Sequence, residues 1–242
     1  MTVRLEVCID DVLSLDACAI GGADRIELCS ALDLGGLTPS PGLMAAAAKS
    51  PLPARAMIRP RAGDFCFSEA EVGVMLADIA AVRAAGLAGV VLGATTAMNE
   101  LDRSMLARLV AAAGDLGKTL HRAIDLLPDP VAAVDLAVEL GFDCILTSGG
   151  ALTAEAGAAA IAAMVERAAG RINIMAGSGV RTENAAAIRR LTHADWLHSS
   201  CSRAIANGTE IRRFGFGPAE RRLADPNRIR ALKAAAISGE PS

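Results

Sequence analysis

RLEVCIDDVLSLDACAIGGADRIELC, residues 4–29, reads as strand, helix, strand. It writes one short pattern twice, Leu5-Glu6-Val7-Cys8 and then Ile26-Glu27-Leu28-Cys29, each inside an apolar run. A helix over about 12–20, entered at Asp10 or Asp11, lies between them. Alternate residues of a strand share a face. Glu6 therefore faces the same way as Cys8, and Glu27 the same way as Cys29, while Leu5, Val7, Ile26 and Leu28 point oppositely. A carboxylate on an otherwise buried strand is costly unless it is paired or used. Two such strands in succession predict a polar, thiol-bearing centre inside the fold, near an open rim.

The same unit recurs along the chain. Strands are expected at about 4–9, 24–29, 54–60, 88–93, 117–122, 143–148, 171–176 and 195–200. Alanine-rich helices follow near 12–20, from about 40, after Ser68, and over 102–113, 129–140, 153–169 and 182–191. Ser68 with Glu71 has capping-box spacing, Pro130 suits a first helical turn, and Thr182 suits a cap. Gly86, Gly114, Gly141 and Gly170 stand where helices should stop. Alternating strands and helices imply a parallel sheet, and eight units in a chain of 242 residues fit a closed (β/α)8 barrel of the TIM type. An open dinucleotide-binding sheet fits less well, because no GxGxxG follows the first strand. The expected organisation is a barrel over 1–205 and a helical or irregular extension over 206–242.

The composition narrows the function classes. The hydrophobic fraction of 52% supports a sizeable core, and a net charge of −3 gives no case for nucleic acid. No apolar run reaches the roughly 20 residues that a bilayer requires. Met1 to Arg4 lead directly into a strand without a secretory leader, so a cytoplasmic location is expected. There the six cysteines are reduced, available as ligands or nucleophiles, and no CxxC pair marks a structural zinc site.

In a barrel of this kind the C-terminal strand ends carry the site. Cys8 and Cys29, at matching points of the repeat, are candidate ligands for a soft ion such as copper(I), with Cys66 as a further thiol; inert packing is the alternative. Cys18, Cys144 and Cys201 are read as packing residues. His121 is the candidate acid–base group, with Glu27 or Asp64 to move protons beside it; a structural histidine is the alternative. His198 carries the same two readings, and His193 is read as a surface residue. Arg59, Arg61 and Arg122 are candidates for holding an anionic substrate, or else for neutralising nearby carboxylates. Gly177-Ser178-Gly179 has the form and place of a backbone phosphate cradle, or of a plain tight turn.

Taken together these segments resemble the CutC copper-homeostasis family. The resemblance rests on Leu5–Cys8, Gly22–Cys29, Gly35–Ser40, Ile58-Arg59-Pro60-Arg61 with Gly63-Asp64-Phe65, His121-Arg122-Ala123 with Asp125, Leu146–Gly149 and Met175–Gly179. It covers about 4–203. Ala62 departs from it where many relatives have glycine. It implies a cytoplasmic, often oligomeric TIM-type barrel that handles copper, with copper(I) at Cys8 and Cys29. The residues alone leave a second reading open: an enzyme acting on a small anionic, possibly phosphorylated substrate through the histidine, carboxylates and arginines of the mouth.

Overall fold

The computed structural model describes residues 3–238. Helices α1 (Leu13–Gly21), α3 (Glu69–Ala85) and α5 (Ala133–Leu140) each end on a left-handed glycine, and the next strand starts within four residues. Eight strands result: β1 (Arg4–Ile9), β2 (Arg25–Leu28), β3 (Ala54–Met57), β4 (Gly89–Leu92), β5 (Gly117–Leu120), β6 (Cys144–Thr147), β7 (Asn173–Ala176) and β8 (Trp196–Ser199). All neighbours pair in parallel, and β8 pairs with β1, so the sheet closes on itself. The expected barrel is present. Further helices are α2 (Pro41–Ala47), α4 (Arg103–Ala113), α6 (Ala158–Ala168) and α7 (Ala185–Thr192).

Local chemistry sets most boundaries. Ser68 and Glu71 form the reciprocal capping box before α3, and the Asp102 side chain accepts from Met105 N before α4. Three helices start later than expected. Pro130 lies in turns ahead of α5, α6 begins at Ala158 after the turns of 149–157, and α7 begins at Ala185 behind Asn184 rather than at Thr182. Helix α6 stops at Ala169, itself left-handed, one residue before Gly170.

Beyond β8 the chain turns into an antiparallel hairpin, β9 (Ser202–Ala206) and β10 (Glu220–Ala224), whose loop holds the short α8 (Thr209–Arg213). It then enters α9 (Pro226–Ser238), which packs against α1 and α7 and buries Ile229, Leu232 and Ala236. This helix closes the outer ring. Residues 1–2 and 239–242, part of the expected barrel and extension ranges, lie outside the described residues.

The two strand faces separate as the repeat requires. Leu5, Val7, Ile9, Ile26 and Leu28 pack under the helices in the main core. The lumen holds two smaller apolar groups, Cys144-Leu146-Met175-Trp196 and Cys29-Met57-Val91. Between these groups lie the charged side chains of β1, β2 and β8. No helix among the described residues is long and apolar enough to cross a membrane.

Candidate functional site

Register places the polar centre. Glu6 lies level with Arg25 on one side and with His198 on the other. The Arg25 guanidinium pairs with Glu6 through Nε and lies over the Trp196 ring, 4.1 Å from its centroid. His198 Nδ1 donates to Glu6 Oε1 at 3.0 Å. Burial alone would raise the Glu6 pKa, but the charges of Arg25 and His198 outweigh it and hold it at about 2. Burial likewise opposes charge on His198, yet Cys8 and Glu27 drive its pKa well above 6.5.

With Nδ1 committed to Glu6, His198 turns Nε2 toward Cys8 and Glu27; Glu27 Oε2 lies 3.7 Å away. The ligand atoms of Cys8, Glu27 and His198 all lie within 4.8 Å of one another. The repeat suggests that Cys8 and Cys29 share an ion, but neighbouring strands are staggered by two residues, and Cys8 lies level with Glu27. Cys29 stands beyond the three-atom set, its thiol 3.7 Å from Glu27 Oε2, with a pKa pushed well up by burial and by Glu27. Cys66 Sγ contacts Thr95 Oγ1 at 3.7 Å and is not part of the set.

This arrangement fits a soft ion. A carboxylate that orients an imidazole through one nitrogen leaves the other to ligate once an incoming ion displaces its proton, and a thiolate beside it favours a soft metal. Glu27 Oε1 is buried without a protein partner, so the set also has an unused acceptor.

A cavity of about 320 Å³ opens above, lined by Cys8, Glu27, Met57, Arg59, His121 and His198 among others. His121 accepts from Ala123 N through Nδ1, which puts the ring proton on Nε2. Burial and then the Arg59 charge lower its pKa to about 3, so it is neutral at ordinary pH. Arg59 donates to the carbonyls of Leu34, Gly36 and Gly63 and lies over the Phe65 ring. Phe65 in turn packs on His121, centroids 4.8 Å apart.

Other expected residues lie elsewhere. Arg61 pairs with Glu71 and, at 2.9 Å, with Asp64; both carboxylates belong to its own surface loop and helix, and neither Arg61 nor Asp64 lines the cavity. Arg122 does line it, while donating to Asp125 at 2.9 Å and Ser148 Oγ at 2.8 Å. Gly177 N donates to Thr147 O, Ser178 Oγ donates to Leu152 O, and Gly179 O accepts from Asn184, so these three groups of the turn bond within the protein. The missing side chain of Gly177 also makes room for Leu146 and His198, to which a Cβ would come within 2.5 and 3.3 Å. The loop after β6 cradles an anion: Ser148 N and Gly150 N donate to Asp125 at 3.0 and 3.1 Å, and Thr147 Oγ1 donates to it as well. The anion it holds is the chain's own carboxylate. His193 ends α7 on the surface as expected.

Comparison with known proteins gives the same architecture a family. The CutC family model matches residues 3–203. The CutC family protein of Rhizobium meliloti (strain 1021) is 53% identical over 233 residues, covering 96% of this chain and 95% of that protein. The crystal structure of CutC from Streptococcus agalactiae, a protein named for copper homeostasis, superposes with a TM-score of 0.78 at 32% identity, over 82% of this chain and 98% of that one. Deoxyribose phosphate aldolase from Aeropyrum pernix, at 14% identity and a TM-score of 0.61 over 82% of this chain and 86% of its own, shares the barrel fold. The chain belongs to the CutC family.

Proposed function

We propose that this protein handles copper by holding a copper(I) ion at the barrel mouth between the Cys8 thiolate and His198 Nε2. The observation that carries this reading is the Glu6–His198–Cys8 alignment: a buried, ion-paired carboxylate orients an imidazole toward a thiol. Thiolate and imidazole together suit copper(I), and the surrounding lumen keeps solvent and oxidants away. Cys29 is the next nearest thiol, a candidate third ligand should the ion draw it past Glu27.

Cys8 is also the thiol that an incoming ion meets first. It borders both the mouth cavity and a second cavity of about 360 Å³ under the β9–β10 hairpin, whereas Cys29 is fully buried and borders neither. Family membership supports a role in copper homeostasis, and the expected cytoplasmic, homo-oligomeric state is part of this proposal.

The test is an anaerobic copper(I) titration against a competing chelator. Cys8→Ser and His198→Gln are each expected to weaken binding by at least tenfold, and Cys29→Ser by less. Wild-type affinity in Cys8→Ser would remove the proposed site.

A further inference from the structure

Three buried polar atoms among the described residues have no partner in the protein: Glu27 Oε1, Arg59 Nε and His121 Nε2. They come from β2, the loop after β3 and the end of β5, far apart in sequence, and all three residues line the same mouth cavity. Unpaired buried polar groups are rare because each costs the desolvation that a partner would have offset. Three around one cavity point to a ligand that completes them.

Their chemistry defines its class. Nε of a guanidinium is a donor, and His121 Nε2 is a donor because Nδ1 already accepts from Ala123 N. Both side chains pack on Phe65, which holds them near each other. Arg59 is buried, its other donors go to neutral carbonyls, and it makes no ion pair with any described carboxylate. Two N–H donors and an uncompensated positive charge match a carboxylate. Glu27 Oε1 is an unpaired acceptor on the same cavity, and a neutral hydroxyl satisfies it without adding a second cation to a space that already holds the Arg59 guanidinium. Met57, Leu34 and Leu146 also line the cavity. We propose that the mouth cavity binds a short hydroxycarboxylate, its carboxylate on Arg59 and His121 and its hydroxyl on Glu27.

This site does not depend on copper, so the test uses metal-free protein with chelator present. Lactate, acetate, propane-1,2-diol and inorganic phosphate are titrated in turn by calorimetry. Lactate is expected to bind about tenfold more tightly than acetate, the contribution of one hydrogen bond of about 1.4 kcal/mol, and the diol not measurably. Glu27→Gln keeps shape but changes the acceptor, and should shrink the lactate preference over acetate. His121→Leu should weaken both carboxylates about tenfold, with thermal melting to confirm folding. Equal binding of lactate, acetate and the diol overturns the proposal, as does phosphate binding tighter than lactate. The probe series on wild type decides the matter even where a variant fails to fold, and neither result bears on copper(I) affinity at Cys8.

Discussion

Glu6 is a carboxylate with no exposure to solvent, kept ionised by a guanidinium and an imidazole. Such a pair contributes little net stability when intact, but removing one partner strands the other charges in a dry lumen. Glu6→Gln should therefore lower unfolding free energy by about 3–5 kcal/mol in urea titration. The same substitution frees His198 to rotate, so copper(I) affinity should fall with it. His121 leads to a second prediction. Its pKa is about 3 in the folded protein against 6.5 for an unperturbed ring, with burial the leading cause. A depressed value favours the folded state above the unfolded pKa, and that contribution is lost as pH falls toward 3. Across this window the unfolded chain takes up a proton that the folded ring refuses, a slope of about 1.4 kcal/mol per pH unit. Urea unfolding between pH 6 and 3.5 should show that much less slope in His121→Leu than in wild type. Glu6, depressed to about 2, adds its own loss only below about 4.5.

At the scale of elements, strands and caps were readable because their causes are local. Ser68 and Glu71 lie three residues apart and bond each other, so spacing alone reveals the α3 start. The alternation of Glu6, Val7 and Cys8 likewise assigns the lumen face without knowledge of any partner. What joins those residues was not local. Cys8 lies level with Glu27 rather than with Cys29 because parallel strands in a closed barrel are staggered, and the stagger belongs to the ring as a whole. Gly177 was only half legible for a similar reason. A glycine between strand and helix suggests an anion cradle, and its empty side-chain position is also filled here by Leu146 from β6 and His198 from β8. Gly177→Ala tests that role: a Cβ 2.5 Å from Leu146 Cδ1 must push either side chain, costing about 1–3 kcal/mol of stability. A shift of His198 would also weaken copper(I) binding, whereas a cradle glycine would change anion binding and leave the metal alone.

At the scale of the molecule, the barrel is finished by a helix that the repeat does not announce. After β8 the pattern is interrupted by the β9–β10 hairpin, and α9 arrives about thirty residues late, with a modest apolar stripe. Its partners are α1, some 200 residues upstream, and α7. Nothing near it in sequence reports them. The contact is tight: Ile229 lies over Gly21 so closely that a Cβ there would come within 2.7 Å, and Lys233 Nζ bonds both Gly22 O and Asp24 Oδ1 at 2.7 and 2.8 Å. Asp24 Oδ2 in turn accepts from Leu5 N, so the helix is tied to the entrance of the two strands that carry Glu6, Cys8 and Glu27. If α9 is structural in this sense, Ile229→Ala should cost about 2–4 kcal/mol through the cavity it leaves between α9 and α1. Because β1 and β2 are secured through the same contact, the loss should appear as one cooperative transition at lower urea, followed equally by Trp196 fluorescence in the lumen and by helical circular dichroism. Early loss of helical signal with Trp196 still buried would mean that α9 is an appendage, and that the ring of β1 to β8 stands without its eighth helix.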